Sequence, residues 1–129
     1  MNFILKVPGR IPLSLNQVMN WTWQKRRTYK RDWNRHIANA ILVARCDQGL
    51  PIDPKFERFD LRLQSNYHQN PIKDDDNLHG AWKAVIDSLV HHLILADDTR
   101  ENIVTKVMMQ IKVSRAEYKE TIITITPLP

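Results

Sequence analysis

The chain has one cysteine, Cys46, so no disulfide can close within it and a cysteine-based zinc site lacks ligands. A reducing, cytoplasmic location is the expectation that follows. Glycine is nearly as scarce, with three in 129 residues. That leaves no Gly-rich loop to cradle phosphates and no G-x-x-x-x-G-K motif. No Ser, His and Asp pattern with a nucleophile elbow is present either. Long apolar runs are missing: the longest, around Ala84 to Ala96, is broken by Asp87, His91 and His92. The apolar start MNFILKVPGR is too short for a signal peptide, so no membrane partner is expected.

What is present suits one soluble domain over 1–129, with 43% apolar and 26% charged residues and no repeat or low-complexity segment. Lysine and arginine exceed the acids by 19 to 14, giving a formal charge of +5. The excess is local. KRRTYKRDWNR carries Lys25, Arg26, Arg27, Lys30, Arg31 and Arg35 against Asp32 alone, with Tyr29 and Trp33 among them and Trp23 just before. Cations neutralise phosphates and flat rings stack on bases, so this run suits a DNA-binding face. The alternative is a solvated helix face. The i, i+4 spacing of 26 with 30 and 27 with 31 gathers four charges on one side and favours binding.

Periodicity sets the expected fold. Phe3 to Val7 reads as a first strand ending at Pro8 and Gly9, and PGRIPLSLNQVMN as a Pro-broken loop. From about Gln24 to Gln48, Trp33, Ile37, Ala40, Ile41, Val43 and Ala44 recur at helical steps until Gly49 and Pro51 stop them. Alternation predicts a strand from roughly Glu57 to Asn66. A second helix follows from about Asn77 to His92, with Asp76 as N-cap and Leu78, Trp82, Val85, Leu89 and Leu93 as its apolar stripe. Ile103 to Val113 and Thr121 to Thr126 alternate as two further strands, expected to form a hairpin. The predicted fold is α/β (α+β): a small mixed sheet with two helices, in the order strand, helix, strand, helix, strand, strand.

Against the basic background, DDDNLHGAWKAVID from Asp74 to Asp87 concentrates acids, and Asp97 and Asp98 follow it. In an extended approach to the helix, Asp74 and Asp76 point the same way and Asp75 elsewhere, so 74 and 76 form the pair able to grip one cation. On the helix, Asp76, Gly80, Lys83 and Asp87 share a side opposite the apolar stripe, with Gly80 leaving space between them. Mg²⁺ takes carboxylate oxygens plus water and phosphate, and two aspartates from one segment with one from another meet that need. The competing reading has Asp74 and Asp75 as solvated loop charges and Asp76 as a cap only.

The string D-D-D-N-L, then Lys83, Asp87 and Leu89, then Asp97-Asp98, resembles the signature of the RusA family of Holliday-junction resolvases. Pro12, Ser14 and Asn16 match that family's early Pro-x-Ser-x-Asn motif. The resemblance implies a homodimeric, Mg²⁺-dependent endodeoxyribonuclease, with Mn²⁺ as the alternative ion, that makes paired incisions in four-way junction DNA by metal-activated water. Carried over residue by residue, it implies Asp74, Asp76 and Asp98 as catalytic metal ligands and Lys83 as the essential lysine. Asp87 matches a further acidic position whose role stays open, and it and Asp97 are candidate accessory acids.

One spacing departs from the family pattern: Lys83 follows Asp76 by seven residues rather than four. Three added residues move the lysine about 4.5 Å along a helix while keeping its face. Its long stem, leaning toward the helix N-terminus, offsets part of that. If the helix begins only near Ala81, Lys83 sits beside the carboxylates directly. His91 and His92 diverge by about 100° and are expected as surface residues at the helix C-terminus. Of the four tryptophans, only Trp21 and Trp23 lie near enough to the basic run to stack on DNA. Two readings from other classes stay open: a non-catalytic nucleic-acid-binding protein, and a nuclease of the same fold acting on simpler DNA.

Overall fold

The structure, a computed structural model, describes residues 2–51, 56–92 and 94–129. Among the described residues it is a mixed α and β architecture with one four-stranded sheet and three helices. Alternation over Phe3–Pro8 (β1) turns Phe3, Leu5 and Val7 inward and Ile4 and Lys6 outward. The segment expected to be loop contains a short helix, Leu15–Met19 (α1), so the helices number three rather than two. Pro12 does not prevent it, because it precedes the cap. Ser14 Oγ accepts from the Gln17 amide at 3.3 Å, and the helix begins after that.

Trp23–Gln48 (α2) is capped by Thr22, whose Oγ1 accepts from the Lys25 amide at 3.2 Å. It ends at Gly49 in the left-handed conformation, φ 69°, which a glycine adopts without steric cost. Tyr29, Trp33, Ile37, Ala40, Ile41 and Ala44 form its buried stripe. Val43, expected in that stripe, is exposed, because it lies about 100° around the helix from Ala44 and falls outside the arc.

Phe59–Tyr67 (β2) leads into Asp75–His91 (α3), and that helix into Ile103–Lys112 (β3). A single turn of 3₁₀ helix, Ala116–Tyr118, precedes Glu120–Pro127 (β4). The sheet order is β1-β4-β2-β3, with β4 antiparallel to both neighbours and β2 parallel to β3. The expected hairpin between β3 and β4 therefore does not form, since β2 lies between them. Burial gives the reason. Ile123 and Ile125 of β4 are fully buried, as in a central strand, whereas Val104, Val107 and Ile111 of β3 are exposed, as at an edge. Parallel strands need a crossover, and α3 supplies it.

One face of the sheet is apolar in rows across the strands: Phe3 opposite Ile125 opposite Leu61, and Leu5 opposite Ile123 opposite Leu63. Trp33 of α2 and Trp82, Val85 and Leu89 of α3 join those rows in one core. Leu93, expected to extend the α3 stripe, lies outside the described residues. Among the described residues no helix is long and apolar enough to cross a membrane.

Candidate nucleic-acid interface and acidic cluster

The three consecutive aspartates have a local explanation. Asp74, not Asp76, caps α3: its backbone is extended, its Oδ1 accepts from the Asp76 amide at 3.2 Å and its Oδ2 from Asn77 Nδ2 at 3.1 Å. Asp75 and Asp76 then occupy the first turn, where the positive end of the helix dipole favours carboxylates. Since the helix starts at Asp75, the alternation that aimed 74 and 76 together ends one residue too early. Asn77 does more than support the cap. Its Oδ1 accepts from the Asn16 backbone amide at 3.0 Å, tying α1 and the Pro12, Ser14, Asn16 motif to the head of α3.

Gly80 does leave space on α3, and α1 fills it. A methyl group at position 80 would lie 2.6 Å from Leu15 Cβ, so the approach of the two helices requires glycine here.

Lys83 turns away from the first aspartates. Its Nζ lies 2.9 Å from Asp98 Oδ2 and 3.0 Å from Asp87 Oδ1, one turn further along α3. The hydrogen bond to Asp98, then that to Asp87, holds the ammonium pKa above its ordinary value, so the group stays charged. Donation from Lys83 likewise holds the Asp98 carboxyl below its usual range. Asp97 orients this loop, its Oδ1 accepting from the Asp98 amide at 2.8 Å. The acids expected as one cluster are thus split. Asp74, Asp75 and Asp76 sit at one end of α3, while Asp87, Asp97 and Asp98 gather around Lys83 and beyond.

The basic run lies next to Lys83. Arg26, Arg27 and Lys30 of α2 face Lys83 of α3 across an open groove of about 620 Å³, whose apolar lining includes Leu15, Met19, Trp23 and Ala84. Further along the same helix seam, Lys30 and Asn34 face Asp87 and His91. Among the described residues, Lys25, Arg26, Arg27, Lys30 and Arg31 have no carboxylate partner, and only Arg35 is paired, to Asp32 at 3.3 Å. Lys25 lies over the Trp21 ring at 4.4 Å and the Arg27 guanidinium over Trp23 at 5.3 Å. Trp33 and Trp82 are core residues, and Trp23 is exposed. His91 is exposed as expected. His92 is half-buried, its Nε2 3.0 Å from the Asn34 carbonyl oxygen, and so helps hold α3 to α2.

The trio Asp74, Asp76 and Asp98 does not fit one divalent ion in this arrangement. The first two open α3, about 10 Å along the axis from Lys83, and Asp98 is held by that lysine from the other direction. Among the described residues no three His, Cys, Asp or Glu side chains are placed to hold a metal together. Asp75 and Asp76 have no side-chain hydrogen bond or ion pair among the described residues, so the head of α3 retains two unengaged carboxylates beside the cap.

Residue patterns alone missed α1 and Asn77. Ser14 directly before Leu15, with Leu15, Val18 and Met19 at helical steps, was the available signal for α1. Nothing in the pattern marks Asn77 as the link between the two segments. Searches against protein-family models and against curated proteins find no match to this chain.

Proposed function

We propose that the protein binds DNA through the cationic face of α2 and is an endodeoxyribonuclease acting on branched DNA, with the four-way junction as substrate. The observation that carries this reading is the adjacency of the two charge clusters. Among the described residues, three cations without carboxylate partners, Arg26, Arg27 and Lys30, border the seam along which Lys83, Asp87 and Asp98 are gathered. Phosphates bound by Arg26 and Lys30 would lie beside the Lys83 ammonium. That ammonium, kept protonated by its two carboxylates, cannot serve as a base, and it can donate to a phosphate oxygen only in exchange for one of them.

Mg²⁺, with Mn²⁺ as the alternative, is the cofactor that the resemblance to RusA-type resolvases implies. Among the described residues Asp74, Asp76 and Asp98 do not converge on one ion. The reading includes a homodimer working inside the cell. Symmetric resolution needs two incisions, and a two-fold pair of chains matches a two-fold substrate. The outer edge of β3 offers unpaired backbone for such a contact.

A second reading, a DNA-binding protein without nuclease activity, is favoured by one observation: the engagement of Asp98 by Lys83. Incubation with an end-labelled four-way junction, with Mg²⁺ and with chelator, separates the two. Paired incisions that need the ion support the nuclease, and retained binding without incision supports the second reading. Cutting of flaps or single strands alone would assign the fold to simpler DNA.

A further inference from the structure

We infer that the groove between α1, α2 and α3 is a seat for unpaired nucleotides, with bases on its apolar floor and phosphates on its cationic rim. This rests on the reading of α2 as a DNA-binding face and specifies which form of DNA the face prefers.

Three observations converge on it. First, the floor is open and apolar where a soluble protein ordinarily closes over such surface: Trp23 is 61% and Met19 58% exposed. Second, every charged side chain lining the groove is a cation, namely Arg26, Arg27, Lys30 and Lys83. Lys83 is already matched by Asp87 and Asp98, but an apolar partner peptide would leave Arg26, Arg27 and Lys30 unmatched, whereas a strand with flat bases and one phosphate per nucleotide matches both floor and rim. Third, the ring is held ready. The Arg27 guanidinium lies 5.3 Å from the Trp23 ring centroid, which restricts an exposed indole and keeps a positive charge beside whatever stacks on it. A paired base in a duplex cannot reach such a floor without leaving its stack, so the groove selects strands that are already unpaired, as at a branch point.

The test compares three labelled probes of equal length by anisotropy: oligo-dT, an abasic strand with the same phosphates, and a duplex. The wild-type protein is expected to bind oligo-dT more tightly than the abasic strand, by roughly five- to a hundredfold if one base stacks. Trp23→Ala is expected to remove that gap, and Trp23→Phe to keep most of it. Trp23 is mostly exposed, and circular dichroism checks that each variant is folded. Equal binding of oligo-dT and abasic strand by the wild type, or a gap that survives Trp23→Ala, overturns the seat while leaving duplex binding by α2 standing. Oligoglutamate binding as tight as that of oligo-dT would show a surface for any polyanion and also overturn it. Failure to bind every DNA probe would remove the DNA-binding reading and the groove assignment together.

Discussion

Lys83 Nζ lies 2.9 Å from Asp98 Oδ2, joining the middle of α3 to the loop beyond its C-terminal end. Asp98, expected to share a metal with Asp74 and Asp76, is instead paired with Lys83, which Asp87 also holds. Both are partly exposed, so solvent screens the pair and its contribution to stability is small.

That pairing has a measurable pH signature. Asp98 titrates below its unfolded value, so its stabilising contribution is present above the unfolded pKa and is lost as pH falls through the folded one. Carboxyl NMR should find the Asp98 midpoint depressed in the wild type and back in the ordinary range in Lys83→Met. Stability of that variant at neutral pH should fall by no more than about 1 kcal/mol.

Replacing Gly80 with alanine should destabilise the fold by about 1–3 kcal/mol despite alanine's better helix propensity, because the new methyl meets Leu15. Urea unfolding measures it. Leu15→Gly, which removes the Cβ that the new methyl would meet, combined with Gly80→Ala should cost less than the sum of the two single changes, and strictly additive effects would count against the contact.

At the head of α3 the aspartates should separate cleanly. Asp74→Ala removes the cap and should cost about 1 kcal/mol, while Asp74→Asn keeps a good cap and should cost little. Asp75→Ala should change stability by about 0.5 kcal/mol or less. Equal losses at 74 and 75 in thermal unfolding would contradict the assignment of the cap.

Asn77→Ala should uncouple α1 from α3. Exchange of the Asn16 amide should accelerate relative to amides in the core strands, since its acceptor is the Asn77 side chain. Asn77→Asp keeps an acceptor for Asn16 but loses the donor to Asp74, so Asn16 protection should survive in that variant.

On duplex DNA, the triple variant with Arg26, Arg27 and Lys30 changed to alanine should lower the salt slope of binding by about 0.9 for each phosphate that is no longer neutralised. An unchanged slope would make the α2 charges a solvated face.

Much of the fold was legible because most elements bury one clean stripe: Leu5, Leu63 and Ile123 on the strands, Trp33 and Trp82 on the helices. The hairpin error shows where such patterns stop. Alternation in Ile103–Lys112 says that the segment is extended but not which strand it joins, and a seven-residue link between β3 and β4 suits a crossing as well as a turn. The acidic site was legible in composition and not in geometry. A spacing rule counts residues between Asp76 and Lys83, whereas the direction in which Lys83 points is set by Asp87 one turn on and by a loop whose return path the pattern does not encode.

The placement of β4 carries a consequence for the order of assembly in time. This strand, last in the chain, sits between β1 and β2, and Phe3 pairs with Ile125 while Leu61 pairs with the same residue. The β2, α3, β3 unit can form without β4, but the two sheet halves stay unjoined until that strand inserts between them. Such distant closure slows folding, so refolding should place most of its barrier in docking that one strand. Until then the flanks of β1 and β2 are open, and any second chain with a free TIITIT segment competes for the same slot.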